Sequence, residues 1–224
     1  MSHHYINFCN VGYSYPDGHR ALAGVSFRIG HGEKVAVIGP NGAGKSTLML
    51  LLDGLLLPTE GSICIGGIEV ERSTLKLIRQ SVGIVFQNPD DQLFMPTVEE
   101  DVAFGPLNMG LPPEQVEQRV TEALACVGIE ELRHRAPYRL SGGEKRRAAI
   151  ATVLSMQPSV LVMDEPTAGL DPEARRQIIE LLKQFDHTCL VATHDMEFAE
   201  EVCTRYLTLN KGRTEESPLR VHSS

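Results

Sequence analysis

Short apolar runs bounded by turns alternate along this chain with longer stretches at helical spacing. Lys34-Val35-Ala36-Val37-Ile38 is a nearly continuous apolar run, as a strand buried on both faces requires. Val160-Leu161-Val162-Met163 and the segment 189–193 read the same way. Shorter strands are predicted over 5–8, 25–29, 62–65, 82–86 and 206–209. Pro16-Asp17-Gly18 and Gly66-Gly67 supply turns in a β-rich opening that suggests an antiparallel sheet. A short helix is predicted over 74–80.

From about 90 to 157 helical spacing takes over. Val116, Val120, Leu124 and Val127 recur at helical intervals between Pro112-Pro113 and Gly128, and a second helix runs from near Gly143 to Met156. Asp171-Pro172 places a cap and a proline at a helix start, followed by Ile178, Leu181, Leu182 and Phe185 on one face. Asp195 can cap a last helix that buries Phe198 and Val202. The pattern predicts an α/β domain over 1–212, with a helical subdomain inserted at about 90–157 and a loose polar tail at 213–224.

Composition narrows the classes. The 224 residues are 42% hydrophobic and 22% charged, as in soluble globular domains, and no apolar run approaches the ~20 residues of a membrane span. The start lacks the basic-then-apolar form of a secretory signal. A net charge of −8 argues against a surface built for nucleic acid. The five cysteines have no metal-ligand spacing and read as small reduced hydrophobes.

The chemistry begins after the first apolar strand. Gly39-Pro40-Asn41-Gly42-Ala43-Gly44-Lys45-Ser46-Thr47 has the spacing of a phosphate-binding loop between a strand and a helix. Gly39, Gly42 and Gly44 let successive amides point at phosphate oxygens, Lys45 adds a cation, and Ser46 can ligate Mg²⁺. The strand 160–163 ends in Asp164-Glu165: one carboxylate suits Mg²⁺ and the next can polarise an attacking water.

Leu140-Ser141-Gly142-Gly143-Glu144, lying between these motifs, resembles the signature of the ABC (ATP-binding cassette) family. The other motifs of that family follow in order. Gln87 resembles the Q-loop glutamine, Ala168-Gly169-Leu170-Asp171 the D-loop, and His194 the switch histidine that touches the γ-phosphate. Tyr15 matches the aromatic that stacks on adenine, with Tyr13 as the neighbouring alternative. The resemblance covers residues 5–212. It implies an ABC nucleotide-binding domain with an α/β core, an antiparallel β subdomain and a helical subdomain. It also implies ATP and Mg²⁺ as ligands, with Ser46, Gln87 and Asp164 at the metal, Glu165 as base and His194 as sensor. Tyr15, Asn41, Thr47 and the loop amides would hold the nucleotide, and Ser141 and Gly143 would reach it from a second, head-to-tail copy or a paralogue.

Asn88-Pro89-Asp90-Asp91-Gln92-Leu93-Phe94 and the segment 96–106 resemble the cobalt and energy-coupling-factor importer ATPases, the CbiO-like group. That resemblance implies work on the cytoplasmic face of a membrane, with an integral-membrane scaffold and a substrate-binding membrane protein as partners. The cargo would be a transition metal ion such as cobalt or nickel, or a vitamin. It also implies a groove for arginine-bearing coupling helices, to which Asp90, Asp91, Glu99, Glu100 and Asp101 would offer an acidic face. The alternatives are a soluble ABC ATPase acting on nucleic acid or ribosomes, a module that binds ATP without hydrolysing it, and an exporter domain. The first lacks support in basic surface or fused domains, and intact Lys45, Asp164, Glu165 and His194 weigh against the second.

Overall fold

A computed structural model describes residues 5–218. The chain forms two compact units, one comprising the residues up to Val82, Ser159–Asp164 and the residues from Asp186, the other Gly83–Pro158 and Glu165–Phe185.

The first unit holds two sheets. In the antiparallel one, β1 (Ile6–Ser14) lies between β2 (Arg20–Ile29) and β4 (Glu60–Ile65), with the short β5 (Ile68–Glu69) at the edge. Ile6, Phe8, Leu22, Val25, Phe27, Ile29, Ile63 and Ile65 are buried, which gives this sheet its core face. Strand β1 runs well past the predicted 5–8. Asn10 takes φ 49° and the register with β2 shifts beyond Phe8, so simple alternation breaks although pairing continues.

The second sheet carries strands in the order β10 (Arg213–Pro218), β9 (Arg205–Asn210), β3 (Lys34–Ile38), β8 (Thr188–Ala192), β7 (Val160–Asp164). β3, β7, β8 and β9 are parallel, and Val35–Val37, Val160–Met163 and Cys189–Ala192 are almost wholly buried. The parallel arrangement explains the unbroken apolar runs. β10 is antiparallel to β9 along its whole length. Arg213–Pro218 is therefore a strand rather than part of a loose tail; its polar sequence hid a pairing made with backbone groups. The rest of that predicted tail lies outside the described residues. Helices α1 (Lys45–Leu52), α2 (Leu75–Ser81) and α7 (Met196–Val202) complete the unit.

β6 (Val82–Val85) starts at the last residue of the first stretch of the first unit and continues into the second unit, which contains α3 (Val98–Asn108), α4 (Pro113–Val127), α5 (Gly142–Leu154) and α6 (Pro172–Gln184). Its helix ends follow local chemistry. Pro113 occupies the first turn of α4, and Gly128 ends it in the left-handed region at φ 64°. Asp171 caps α6 by accepting from the Glu173 and Ala174 amides at 2.9 and 3.0 Å. Those amides, Ala174 first, hold the Asp171 carboxyl below the usual carboxylate range. Among the described residues no helix is long and apolar enough to cross a membrane.

Candidate functional site

Parallel pairing aligns the chemistry of the first unit. Val37 of β3 and Asp164 of β7 both pair with Ala192 of β8, so three strand ends share one edge of the sheet. The loop 39–44 follows the first of these ends and His194 follows the third, exposed to solvent. An open edge at the carboxyl ends of parallel strands is where α/β sheets take ligands.

The loop is shaped by its glycines. A Cβ on Gly39 would lie 2.1 Å from the Leu209 carbonyl oxygen, so only glycine lets the loop rest against β9. Gly44 caps α1 at φ 107°, and a Cβ there would lie 2.8 Å from the Ala21 carbonyl oxygen. Asn41 and Gly42 are exposed at the tip. Lys45 Nζ donates to the Gly39 carbonyl at 2.7 Å and the Pro40 carbonyl at 3.2 Å, which folds its ammonium back along the loop. Ser46 Oγ donates to Asp164 Oδ2 at 3.3 Å. Thr47 is buried, and its hydroxyl pairs with that of Tyr15 at 3.0 Å. Tyr15 meets the buried Tyr13 edge to face, with ring centroids 5.0 Å apart. Tyr15 is half-buried where Tyr13 is buried, and the His19 ring stacks on it with centroids 6.2 Å apart.

The first unit thus gathers Tyr15, the loop 39–47 and Asp164 in direct contact, with His194 on the same sheet edge. These groups suit a polyphosphate with a small hard cation. A glycine turn opening a helix suits phosphate, and Ser46 and Asp164 present oxygen donors of the kind Mg²⁺ takes alongside phosphate and water. Among the described residues no three His, Cys, Asp or Glu side chains converge as a metal cluster.

The remaining predicted residues belong to the second unit. Gln87 is exposed just past β6. Glu165 is 8% exposed and holds φ 47°, an uncommon conformation for a residue with a side chain; its carbonyl accepts from the Ala168 amide. Ser141 caps α5 in a reciprocal box: its hydroxyl accepts from the Glu144 amide at 3.3 Å, and its own amide donates to Glu144 Oε2 at 2.7 Å. That amide, followed by the Ser141 hydroxyl, keeps the Glu144 carboxyl below its ordinary range. Gly143 is tight against α6, where a Cβ would meet that of Ala174 at 3.1 Å.

The acidic face expected around α3 is mostly engaged within the unit. Asp101 is 3% exposed, and its Oδ1 accepts from the Phe94 and Met95 amides, both at 3.0 Å. Asp101 is thus a buried loop anchor, and burial pushes its carboxyl up. Glu99 pairs with Arg133 at 2.7 Å and with His134 at 3.0 Å, and Glu100 closes the Thr97 capping box. Asp90 pairs with Lys145 at 2.6 Å, and Asp91 accepts from Asn88. The surface beside them is apolar instead: Phe94 (63% exposed) and Phe104 meet edge to face at 5.0 Å, and Leu107 is also exposed.

One buried cation was passed over in the sequence. Arg146, 3% exposed on α5, donates to the Phe86 and Gln87 carbonyls. Its helical alignment with Ala149, Ile150 and Val153 marks it as inward-facing.

A family model described as ABC transporter matches residues 22–168. A putative ABC transporter ATP-binding protein of Geobacter sulfurreducens is 60% identical, over 95% of this chain and 86% of its own length. The energy-coupling factor transporter ATP-binding protein EcfA of Methanothermobacter thermautotrophicus is 52% identical, over 96% of this chain and 72% of its own. Among solved structures, cbiO1 from Clostridium perfringens, described as part of the ABC transporter complex cbiONQ, is 40% identical. It superposes with a TM-score of 0.86 over 96% of this chain and 88% of that one. An ATP-binding cassette whose dimer was solved in a post-hydrolysis state with ADP and Pi is 32% identical, also at TM-score 0.86, over 96% of this chain and 99% of that one. Identity at these levels, carried across nearly the whole length, goes beyond a shared architecture: the chain belongs to the ATP-binding proteins of the ABC transporter family, which are ATPases.

Proposed function

We propose that this chain is the ATP-hydrolysing subunit of an energy-coupling-factor type importer, peripheral to the cytoplasmic face of the membrane. The observation that carries the reading is the exposed Phe94, Phe104 and Leu107 surface, held in place by the buried Asp101 carboxylate. Three large exposed apolar side chains gathered at and just before α3 fit a protein partner. The identity with two proteins named EcfA, 52% and 48%, supports a membrane scaffold as that partner. The cargo in this reading is a transition metal ion, cobalt or nickel, or a vitamin, recognised by a separate substrate-binding membrane protein.

In the catalytic cycle Tyr15 stacks on the adenine, while the amides of Gly39, Asn41, Gly42 and Gly44 with Lys45 and Thr47 hold the phosphates. Ser46, Gln87 and Asp164 would hold Mg²⁺, which when bound neutralises charge on the phosphates. Glu165 orients the attacking water and accepts its proton, and His194 senses the γ-phosphate. Ser141 and Gly143 reach the nucleotide of a second copy or a paralogue, so hydrolysis depends on closure. The dimeric ADP- and Pi-bound cassette supports that arrangement.

The test is affinity purification of this chain from detergent-solubilised native membranes, with partners identified by mass spectrometry. Recovery of a polytopic scaffold with a small membrane protein is the expected result, and the small protein would name the cargo. Recovery only with ribosomal or DNA-processing partners would overturn the importer reading and leave the ATPase chemistry standing.

A further inference from the structure

Gln92 follows the short 3₁₀ turn Pro89–Asp91 and lies five residues beyond Gln87. Its side chain is satisfied from two directions. Oε1 accepts from the Phe86 amide at 3.2 Å, at the end of β6. Nε2 donates to the Ala149 carbonyl at 2.9 Å and to Thr152 Oγ1 at 2.7 Å, both on α5. The partners fix the amide's orientation, because a backbone N–H needs an acceptor and a carbonyl needs a donor. Arg146, one turn earlier on the same face of α5, donates to the Phe86 and Gln87 carbonyls. Lys145 adds an ion pair to Asp90. Helix α5 therefore grips the segment 86–92 at four residues, and the N-cap of that helix is Ser141.

We infer that Gln92 is a positioning residue that makes the Gln87 turn and the Ser141 end of α5 move as one piece. The inference rests on the reading above that Gln87 and Ser141 contact nucleotide. Under it, a displacement of Gln87 by bound nucleotide is delivered to α5 through the Gln92 amide and the Arg146 fork rather than through the intervening chain. A neutral amide is required. A carboxylate of the same shape could still accept from Phe86 but could not donate to Ala149, and a leucine could do neither.

The test is hydrogen exchange read by mass spectrometry on the full chain at pH 8, with and without Mg·ATP, for wild type, Gln92→Glu, Gln92→Leu and Val120→Ala. Val120 is a buried residue of α4 whose truncation lowers stability without touching the link. In wild type, ATP is expected to change exchange at 86–88 and at 141–147 together. In Gln92→Glu the response at 86–88 persists, while that at 141–147 falls several-fold. In Gln92→Leu the response at 141–147 falls at least as far, and Val120→Ala keeps both. If both Gln92 variants retain the paired response, or if Val120→Ala loses it equally, Gln92 is a packing group and the proposal fails. If wild type does not bind ATP, the failure lies in the ATPase reading and this inference falls with it.

Discussion

The Ser46 hydroxyl donates to the Asp164 carboxylate across 3.3 Å, although 118 residues separate them in the chain. Parallel pairing of β3 and β7 with β8 brings them together: β7 ends in Asp164, and the loop after β3 leads to Ser46 in the first turn of α1 at the same sheet edge. Ser46→Ala and Asp164→Asn should therefore weaken Mg·ATP binding by roughly tenfold, about 1.4 kcal/mol. Binding of ATP in EDTA should change far less. Titration calorimetry with and without Mg²⁺ separates the two, and equal losses under both conditions would show that the pair serves the loop's shape rather than a cation.

Glu165 is buried and carries φ 47° at the end of β7, a conformation that costs of order 1–3 kcal/mol for a residue with a side chain. Such strain persists where a side chain must be aimed. Glu165→Gln should bind ATP normally, lower turnover by roughly 10³-fold and accumulate an ATP-bound dimer. Steady-state hydrolysis and size-exclusion chromatography with ATP check this, and normal turnover would remove Glu165 as the base.

Gly39 has no room for a methyl group, since a Cβ would stand 2.1 Å from the Leu209 oxygen. Gly39→Ala should push the loop off β9, at a cost of about 1–3 kcal/mol, and impair ATP binding beyond that loss. A melting temperature measured with and without nucleotide reports both effects. Wild-type values would mean that β9 gives way instead.

Asp53 caps the C-terminus of α1, and burial raises its carboxyl to about 6 against a partial opposing effect from Arg79. A folded-state value above the unfolded one means that the ionised group opposes folding above about 6, and that stability is regained as pH falls from 6 toward 4. Asp53→Asn should therefore be more stable than wild type at pH 7.5, with the advantage shrinking below pH 6. Thermal melts across pH 4.5–8 test this, and a pH-independent difference would exclude ionisation as its cause.

Phe94 is the most exposed aromatic of the α3 surface and takes its position from the Asp101 anchor. Phe94→Asp should leave ATP hydrolysis by the isolated chain within about twofold of wild type, since a change at an exposed side chain costs little stability. Capture of the membrane scaffold should fall by at least tenfold, as for a central interface aromatic. Undiminished capture would move the docking site elsewhere.

Much of the candidate site was legible in the sequence because its residues come in contiguous motifs whose spacing is itself the chemistry. Gly39 to Thr47 must be a loop running into a helix, and Asp164 must end a strand. Asp101 was misread because charge was weighed ahead of period: it shares the inward face of α3 with Val98 and Val102. Arg146 could have been found by the same rule. The φ of Glu165 and the contact between Gly39 and Leu209 left no trace in the sequence, because each depends on where distant segments meet. Strand β10 was missed because its partner's backbone, rather than its own side chains, specifies it.

That strand also bears on handling the protein. β10 is the outermost member of its sheet and occupies the hydrogen-bonding edge of β9, whose Leu207 and Leu209 are fully buried. An expression variant trimmed before Arg213 would leave that edge bare, ready to recruit the same edge of another molecule. Precipitation on concentration or warming would then report a lost strand pairing, and a charged or proline residue placed on β9's open side would restore solubility where added salt would not.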